Sequence, residues 1–585
     1  MAPDIAVAID FGTTRSAWAY RVRGQAGNKV LVRIPDTAHA SPSSTTKTET
    51  AALIGQHGRG ELVAFGPAAL QRYAEDDDEE NALFRWFKID LCETTSSETD
   101  VDRVTTKSFA GHVAPLLGVI KASLIYFKDD VLGFLSSTSG RTVVATDITW
   151  VLTVPAIYDD FAKHFMRQAA HAAGMIDRVN SAKLRLCLEP EAACLAVTME
   201  DNPLTCEAEG KKMMIVDCGG GTVDITTYDI VSVDPLRLAE VSASQGGMWG
   251  STRVDKAFKK WLKDFLGEWF DKIENTETLL SMTMTWERMK TEFPGQDRTK
   301  PLRLSLSELA QHGMTRDDIE ELRMRHNDGA PPSCCVGGRL FMVNLPTALV
   351  TSFFKPTLDK VSECLRKLKR DPSLHDLHRV YVVGGFSDSL LLRDVVRAEL
   401  EHSACSVVQV HGPDVAIVKG AVMFSEKATI FNSRKARLTY GRNCLVPFDS
   451  KNAEHRRRRD AGKTARDDGG NTYILGGFSV DITAGDDIPG DGVLRHRLCC
   501  PVSLTQKTYI IEMHASRARN PKFVDEGSCF KIGDLRVDLD MTKKTLSERG
   551  FRMELTFGGP ELAVKILHAT DEREIVNALM SLSRV

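Results

Sequence analysis

The sequence predicts an α/β fold in which one architecture occurs twice, followed by a region of antiparallel β-structure. An apolar strand, an aspartate and a Gly/Thr turn occur together in residues 5–16 and again in residues 213–224. Strands that alternate with helical patterns follow each segment, which is typical of α/β units. After residue 427 apolar and polar side chains alternate with a period of two, which is typical of an antiparallel sheet with one face in a core.

In each of the two segments a predicted strand ends at an aspartate, and a turn follows. Val and Ile favour the extended state, so residues 5–9 and 213–216 are predicted buried strands. Glycine permits a tight turn, the backbone N–H groups of such a turn can surround an anion, and threonine hydroxyls can donate to phosphate oxygens. The predicted phosphate contacts are Gly12, Thr13, Thr14, Gly219, Gly220, Gly221 and Thr222.

The aspartates Asp10, Asp217 and Asp224 suit a cation and not a phosphate, because like charges repel. Their natural partner is Mg²⁺, which proteins hold through carboxylates and water. Two such turns that face each other would hold a nucleoside triphosphate and its metal. The alternative for either segment, taken alone, is an ordinary buried strand that ends in a glycine turn. Neither segment has P-loop spacing, and strand-like sequence follows residues 219–221 where a dinucleotide fingerprint requires a helix.

Composition narrows the classes of protein. The 585 residues predict two to four domains, and 42% hydrophobic with 26% charged residues is typical of a globular chain with an ample core. The net charge of −4 gives no reason to expect nucleic-acid binding, and no apolar run reaches the roughly 18–20 residues of a membrane span. Thirteen scattered cysteines without a CxxC motif, and no leader pattern, predict free thiols in the cytoplasm, with the nucleus as the alternative location.

The rest of the chain follows the α/β pattern up to residue 427. A strand over residues 151–155 precedes a helix over 156–175, and a strand over 184–188 leads into Glu189 at a strand-to-helix junction. A buried strand over residues 380–385 ends in a glycine pair. In the β-rich part, the basic run Arg456 to Arg459 is predicted to lie in an exposed loop, and residues 572–582 are predicted to form a short C-terminal helix.

These motifs resemble those of the actin-like (ribonuclease-H-like) ATPase superfamily and, within it, the 70-kDa heat-shock (DnaK-type) chaperones. Residues 10–14 are similar to the first phosphate motif of that family, and residues 217–224 are similar to the second. Further similar segments occur in the same order at residues 154–156, 189–193, 246–255, 287–290, 382–387 and 412–421. The resemblance implies two ATPase lobes at 1–205 and 206–427, and an antiparallel β-sandwich for substrate binding at 428–585.

The resemblance also implies ATP or ADP with Mg²⁺ as cofactors, and a role for each matching residue. Asp10 and Asp217 would hold the metal through water, and Glu189 would order its water shell. Asp224 or Glu189 would orient the attacking water, while Thr222 and Lys88 would act on the γ-phosphate. For Lys88 a surface position is the alternative. The remaining residues of the nucleotide site would be Gly247, Glu287, Lys290, Gly384, Gly385 and Phe386.

Three departures from the usual family pattern accompany the resemblance. Asp388 stands where the family places an arginine against the base, the linker region 430–440 is basic and polar, and a long helical lid has no room after Ile566. These traits are similar to those of the divergent type-12 branch. The expected partners are unfolded or extended peptides and co-chaperones. A nucleotide-dependent scaffold with little hydrolysis and a small-molecule kinase are the alternatives to a chaperone-like ATPase.

Overall fold

The chain is a mixed α/β structure, as the sequence predicts. The computed structural model describes all residues except 1–4, 23–29, 34–46, 76–79, 94–99, 200–208, 296–301, 328–334, 337–340, 403–404, 468, 490–492, 502, 558–560, 569–573 and 580–585. Within the described residues no helix has both the length and the apolar character needed to cross a bilayer. The cysteines recorded in that part of the chain are free thiols.

The first half of the chain is built on a six-stranded mixed sheet. The strands of this half of the chain are β1 (Ile5–Phe11), β2 (Arg15–Val22), β3 (Leu31–Arg33), β4 (Thr48–Glu49), β5 (Ala51–Ile54), β6 (Leu62–Phe65), β7 (Ala82–Arg85), β8 (Thr105–Lys107), β9 (Val113–Pro115), β10 (Ile148–Val154) and β11 (Leu184–Leu188). Its helices are α1 (Gly55–Gly58), α2 (Pro67–Glu75), α3 (Asp90–Glu93), α4 (Leu116–Ser139), α5 (Asp160–Ala172) and α6 (Glu189–Met199). The main sheet has the order β11-β10-β1-β2-β3, with β4 also paired to β2, and β5–β9 form two small sheets.

The second half repeats this sheet order strand for strand. The strands are β12 (Lys212–Cys218), β13 (Val223–Val233), β14 (Leu236–Gly247), β15 (Leu302–Ser305), β16 (Cys335–Val336), β17 (Met342–Leu345), β18 (Leu377–Val383) and β19 (Ser406–Gln409). The helices are α7 (Thr252–Leu266), α8 (Glu268–Ile273), α9 (Glu277–Thr291), α10 (Arg316–Asn327), α11 (Thr347–Lys369), α12 (Leu390–Leu400) and α13 (Ala416–Lys427). The order β19-β18-β12-β13-β14 matches β11-β10-β1-β2-β3.

The repeated sheets place the two aspartates at equivalent positions. Each lies near the end of a buried strand that is parallel to one neighbour and forms a hairpin with the next: β1 with β10 and β2, and β12 with β18 and β13. Helices α6 and α13 pack closely against each other, since a Cβ atom on Gly420 would lie 1.7 Å from the carbonyl oxygen of Ala192. Asp10 and Asp217 therefore lie at the same edge of their sheets.

The C-terminal region begins with a strand that belongs to the second sheet. The strands are β20 (Phe431–Lys435), β21 (Thr439–Pro447), β22 (Thr464–Arg466), β23 (Thr472–Ile482), β24 (Asp487–Pro489), β25 (Val493–Cys499), β26 (Thr508–Ser516), β27 (Cys529–Asp538), β28 (Phe551–Phe557), β29 (Leu562–His568) and β30 (Glu574–Leu579). β20 pairs with β14 and β24, so the second sheet crosses the predicted boundary at residue 427. The other strands form antiparallel sheets ordered β22-β23-β21-β26-β27 and β25-β28-β29-β30.

Two predictions for the C-terminal region are wrong. The predicted helix over residues 572–582 is strand β30 where the structure describes it, because residues 574–579 pair antiparallel with β29. The basic run Arg456 to Arg459 lies in helix α14 (Ala453–Asp460) and not in a loop, because the side chain of Asn452 caps the N-terminus by accepting from the N–H groups of residues 454 and 455.

The C-terminal sheets pack against the first half of the chain next to helix α5. Apolar side chains from β26 to β29 belong to the same hydrophobic cluster as β1, α4 and α5. The hydroxyl of Tyr440 donates to Asp160 at 3.2 Å, and Arg167 donates through two nitrogens to Glu561 at 2.6 and 2.8 Å. Ion pairs and apolar packing together fix this region against α5.

Candidate functional site

A cavity of about 280 Å³ is lined by residues from both duplicated halves. Among the residues predicted for the site, all but Asp224 and Gly247 line it. Those that do are Asp10, Gly12, Thr13, Thr14, Lys88, Glu189, Asp217, Gly219, Gly220, Gly221, Thr222, Glu287, Lys290, Gly384, Gly385 and Phe386. The fold therefore brings both Gly/Thr turns and both strand-end aspartates to one place, and the individual roles of these residues stay predictions.

The two Gly/Thr turns face each other at contact distance. A Cβ atom on Gly220 would lie 2.4 Å from Thr14 Oγ1, and a Cβ atom on Gly221 would lie 2.5 Å from Thr13 Oγ1. Any side chain at either glycine would push the turns apart. The close approach of the opposite turn explains why glycine is needed at both positions.

Asp10 is paired with a lysine that the sequence did not predict for the site. Lys47 Nζ donates to Asp10 Oδ2, and Thr153 Oγ1 donates to Asp10 Oδ1 at 3.0 Å. The segment that carries Lys47 is attached to the first turn, because the N–H of Thr50 donates to the carbonyl of Thr14 at 2.8 Å. The Lys47 side chain is only 11% exposed. The Lys47–Asp10 pair is therefore shielded from water and screened less than a surface pair.

Lys88 is buried in the wall of the cavity and is not a surface lysine. Its Nζ donates to Glu189 Oε1 at 3.1 Å and to the carbonyl of Phe11. The hydroxyl of Tyr158 donates to the carbonyl of Lys88 at 3.2 Å. A buried ammonium group must be paired to be tolerated, and Glu189 supplies the pairing charge. The ion pair therefore holds the ammonium group in a fixed position next to the facing turns.

Three buried carboxyl groups lie close together behind this lysine. Burial is the main cause that raises the pKa values of Glu189, Asp217 and Asp224. Repulsion from Glu189 raises the pKa of Asp217 further and contributes to a pKa of about 7 for Asp224. Asp224 lies outside the cavity lining, opposite Asp217 across the β12–β13 hairpin, where it accepts from the N–H of Ile157 at 2.9 Å. The acidic cluster therefore holds protons more readily than isolated carboxylates do.

The same cluster contains two carboxylate oxygens that lack a donor. Asp217 Oδ1 and Asp224 Oδ2 are buried and have no hydrogen-bond partner among the described residues. An unsatisfied buried carboxylate is costly, and a divalent cation near Asp217 would offset that cost. In the described part of the chain no three His, Cys, Asp or Glu side chains form a complete metal site. The residues fit Mg²⁺ that takes its other ligands from water and phosphate, which is how Mg²⁺ usually binds.

The residues predicted for the adenosine end are engaged in ion pairs. Arg85 Nη2 donates to both oxygens of Glu287 at 3.0 and 2.9 Å, and this pair joins β7 of the first half to α9 of the second. Lys290 Nζ donates to Asp255 Oδ2 at 2.7 Å. Asp388 also lines the cavity, so a carboxylate replaces the cationic side chain of the usual family pattern. This end of the cavity is therefore more acidic than the resemblance implies.

Gly384 and Gly247 have different structural roles. Gly384 has a φ of +83°, and a Cβ atom there would lie 2.4 Å from the carbonyl oxygen of Cys218 and 2.6 Å from Asp217 Oδ1. Gly384 thus lets the end of β18 approach the second aspartate. Gly247 ends β14 and does not line the cavity, and a Cβ atom there would lie 2.5 Å from the ring of Trp249.

Sequence reasoning missed Lys47, which lines the cavity, and Arg85, which pairs with the lining residue Glu287. Lys47 lies in a Ser/Thr-rich stretch without strand periodicity, and Arg85 is a single charge at the end of a short apolar run. Their partners Asp10 and Glu287 are distant in the sequence, at separations of 37 and 202 residues. The usable signal for Lys47 is the apolar strand at residues 51–54, which places the preceding residues beside the first hairpin only once the sheet is known.

Comparison with known proteins gives the same family as the sequence motifs. A family model described as Hsp70 protein matches residues 129–326. The heat shock 70 kDa protein 12A of Homo sapiens is 28% identical over 98% of this chain and 90% of that protein, and the heat shock 70 kDa protein 12B of Homo sapiens is 25% identical over the same shares. The chaperone protein dnaK1 of Prochlorococcus marinus is 28% identical over 50% of this chain and 40% of its own length.

The duplicated α/β architecture with facing Gly/Thr turns, taken with these matches, defines a nucleotide-binding protein of Hsp70 type. These matches support the assignment of the chain to the 70-kDa heat-shock protein family. The similarity over nearly the full length of the type-12 proteins supports a place on the divergent type-12 branch of that family.

Proposed function

We propose that this chain is a magnesium-dependent ATPase that acts as an Hsp70-type, nucleotide-switched chaperone. The observation that carries the proposal is the pair of facing Gly/Thr turns in one cavity, each beside a strand-end aspartate. The N–H groups and hydroxyls of such turns suit the phosphates of ATP and ADP. Membership of the Hsp70 family supports the same ligand.

The acidic residues would hold the metal. When bound, Mg²⁺ supplies positive charge that stabilises the charge on the phosphates during transfer. Asp217 is the strongest candidate for this role, because one of its oxygens is buried without a donor. Asp10 would act from the first turn and would exchange its contact with Lys47, and Glu189 would order the surrounding water.

The basic and hydroxyl residues would act on the γ-phosphate and the attacking water. Lys88 supplies a buried point charge close to both turns. Thr222 lines the cavity and would donate to a γ-phosphate oxygen. Asp224, whose pKa is about 7, would orient the attacking water and accept its proton near neutral pH. Positioning and electrostatics would then provide most of the catalysis.

The output of the cycle would be a change in how the two halves close on the nucleotide. We assign residues 1–205 and 206–427 to the two lobes and residues 428–585 to a β-sandwich that binds extended or unfolded peptides by strand pairing. Co-chaperones would act on the same cycle, in the cytoplasm. The contacts of Arg167 and Tyr440 beside α5 support communication between the lobes and the β-sandwich.

A nucleotide-dependent scaffold is the second candidate. Arg85 pairs with Glu287, a residue that contacts adenosine in the usual family pattern, and Asp388 replaces the usual arginine. Both features favour weak or slow turnover compared with ordinary members. A small-molecule kinase is the third possibility, and it would leave the C-terminal sheets without an evident role.

A calorimetric titration with phosphate-release assays separates these functions. We expect ATP and ADP to bind with Mg²⁺, and unfolded peptide to stimulate ATP turnover. Thr222→Ala should lower turnover by about 100-fold, because one donor to the reacting phosphate is lost. Asp359→Asn, in an exposed ion pair on α11, is the matched control and should behave as the unchanged protein. Tight binding without turnover would favour the scaffold, sugar-dependent ADP release would favour the kinase, and no nucleotide binding would rule out all three.

Lys47→Met should destabilise the ligand-free protein more than the nucleotide-bound protein. Without Lys47 the buried carboxylate of Asp10 loses its cation, which costs roughly 3 kcal/mol for a buried pair. Bound Mg²⁺ with nucleotide would restore a positive charge at Asp10. Urea unfolding with and without MgADP measures both effects, with the exposed Lys355→Met as control. A loss of the same size in the two states would show that Lys47 is only a structural partner.

A further inference from the structure

The C-terminal region contains a second cavity, of about 770 Å³, that shares no lining residue with the nucleotide cavity. It lies between helix α14, strands β21 and β23, and residues 521–526, and we call it the α14 cavity. Its volume is within the range of small-ligand sites. Its apolar lining consists of Val446, Phe478, Val480, Pro521 and Phe523.

The acidic residues that line the α14 cavity are already satisfied by the protein. Each of Glu454, Asp525 and Glu526 accepts at least two hydrogen bonds of 3.1 Å or less. The donors are the side chains of Arg457 and Arg458 for Glu454, the side chains of Arg458 and Lys463 for Asp525, and the N–H groups of Lys522 and Phe523 for Glu526. Glu454 and Asp525 are thus neutralised by cationic side chains, whereas Glu526 is held through Oε1 by backbone N–H groups alone.

His455 presents a hydrogen-bond donor to the cavity. The residue is 8% exposed, and its Nδ1 accepts from the N–H of Asp449 at 3.1 Å. An amide N–H can only donate, so Nδ1 carries the lone pair and Nε2 carries the hydrogen. No described residue accepts from Nε2. A buried donor with a fixed tautomer is thus left for a ligand.

Lys522 supplies a second unmatched donor at the rim. Its side chain is exposed, and its ammonium group has no ion pair or hydrogen bond within the described part of the chain. His455 Nε2 and Lys522 Nζ are thus two unmatched donors at the cavity, and one of them carries a positive charge. A ligand that complements these two groups is an acceptor with negative charge that also covers apolar surface.

We propose that the α14 cavity binds an apolar group that carries a carboxylate, such as the apolar last residue of a peptide chain. The carboxylate would accept from His455 Nε2 and Lys522 Nζ, and the apolar part would cover Phe478, Phe523 and Val446. A small apolar carboxylic acid has the same chemistry and is the alternative source. The inference goes beyond the nucleotide cycle, because the α14 cavity and the nucleotide cavity have no residue in common.

The test compares two fluorescein-labelled peptides that end in leucine and differ only in a free carboxylate or an amide at the C-terminus. Fluorescence anisotropy with the full chain should show the free acid binding at least about 10-fold more tightly, because a charge-assisted hydrogen bond and an ion pair are lost in the amide. Phenylbutyrate, titrated separately by calorimetry, distinguishes the sources. Binding of both the free-acid peptide and phenylbutyrate supports the shared chemistry, and binding of phenylbutyrate when neither peptide binds assigns the site to a small acid.

Variants locate the binding in the α14 cavity. Lys522→Met should weaken binding of the free-acid peptide by roughly 5-fold and leave binding of the amide peptide unchanged. The control is Lys544→Met, at an exposed lysine outside the cavity, which should change the binding of neither peptide. His455→Phe keeps an aromatic ring but removes the donor. It should reduce the ratio of acid to amide affinity relative to the unchanged protein. The proposal would be overturned if the acid and amide peptides bound with the same measurable affinity, if neither peptide nor phenylbutyrate bound, or if Lys522→Met bound the acid as the unchanged protein does.

Discussion

Asp217→Asn is expected to abolish ATP turnover while the protein remains folded. The change removes the charge of a carboxylate whose Oδ1 is buried without a donor in the ligand-free protein. We expect a loss of at least about 100-fold in turnover, the size typical for removal of one electrostatic contact to a reacting group. We also expect nucleotide affinity to lose most of its dependence on Mg²⁺.

The same change should make the ligand-free protein more stable. Burial, together with repulsion from Glu189 and Asp224, raises the pKa of Asp217 well above its usual range. A neutral amide has no such repulsion, so the urea midpoint of Asp217→Asn should rise at neutral pH. Loss of activity with a gain in stability cannot come from unfolding, and this combination identifies a charge kept for a ligand.

Asp376→Asn is the matched control for this experiment. Asp376 lies at the other end of the β12–β18 pair, where its exposed carboxylate accepts from Lys212 at 2.6 Å. The control should change neither turnover nor Mg²⁺ dependence, because an exposed ion pair contributes little. If Asp217→Asn kept its turnover, the proposed metal site would be wrong even though both turns line one cavity.

The ligand-free protein is expected to be less stable at pH 8 than at pH 5 because of Asp224. The pKa of this buried carboxyl is raised from 3.8 to about 7 in the folded chain. A raised pKa means that the folded state holds the proton more tightly than the unfolded state. The stabilisation is therefore complete below the unfolded pKa and is lost as the pH rises through about 7. For one group the difference between about pH 5 and about pH 8 is roughly 3 kcal/mol.

Asp224→Asn tests this assignment directly. Urea unfolding of the variant should lose about 3 kcal/mol of the pH dependence that the unchanged protein shows. Glu189 and Asp217 have raised pKa values for the same reason, so part of the slope should persist. If the free energy of unfolding depended on pH identically in the variant and the unchanged protein, Asp224 would already be ionised at about pH 5. That result would remove its proposed role as a base near neutral pH.

The sequence predicted the parts of this molecule that depend on local pattern. An apolar run that ends at Asp10 or Asp217 before glycines defines a strand and a turn by itself, and the C-terminal alternation correctly predicted β26 to β29 as strands. The helix predicted over residues 572–582 was wrong because residues 574–579, which include Glu, Ala and Leu, show only a weak alternation of apolar and polar side chains. Pairing with β29, which is a tertiary contact, made them a strand.

The missed parts of the site depend on contacts between distant segments. Lys47 reaches Asp10 because β4 pairs with β2, and the sequence has no signal for that pairing. Glu287 was predicted for the nucleotide site and lines the cavity, but its ion pair with Arg85 requires β7 and α9 to meet. Arg458 was assigned to an exposed loop, whereas it is buried over the ring of Phe523 at 3.5 Å. Local composition alone does not show which of several arginines points inward.

Strand β20 determines where the chain can be divided for separate study. Phe431 on this strand is fully buried beside Tyr228, and Arg434 donates to the buried carboxylate of Glu191. A fragment that stops at residue 427 would expose the outer edge of β14 and leave Glu191 without its cation. Extending the fragment past residue 435 would restore both contacts but would still omit β24, which returns from residues 487–489. A soluble fragment for crystallisation or binding assays would need a fused strand at that edge, or else the whole chain.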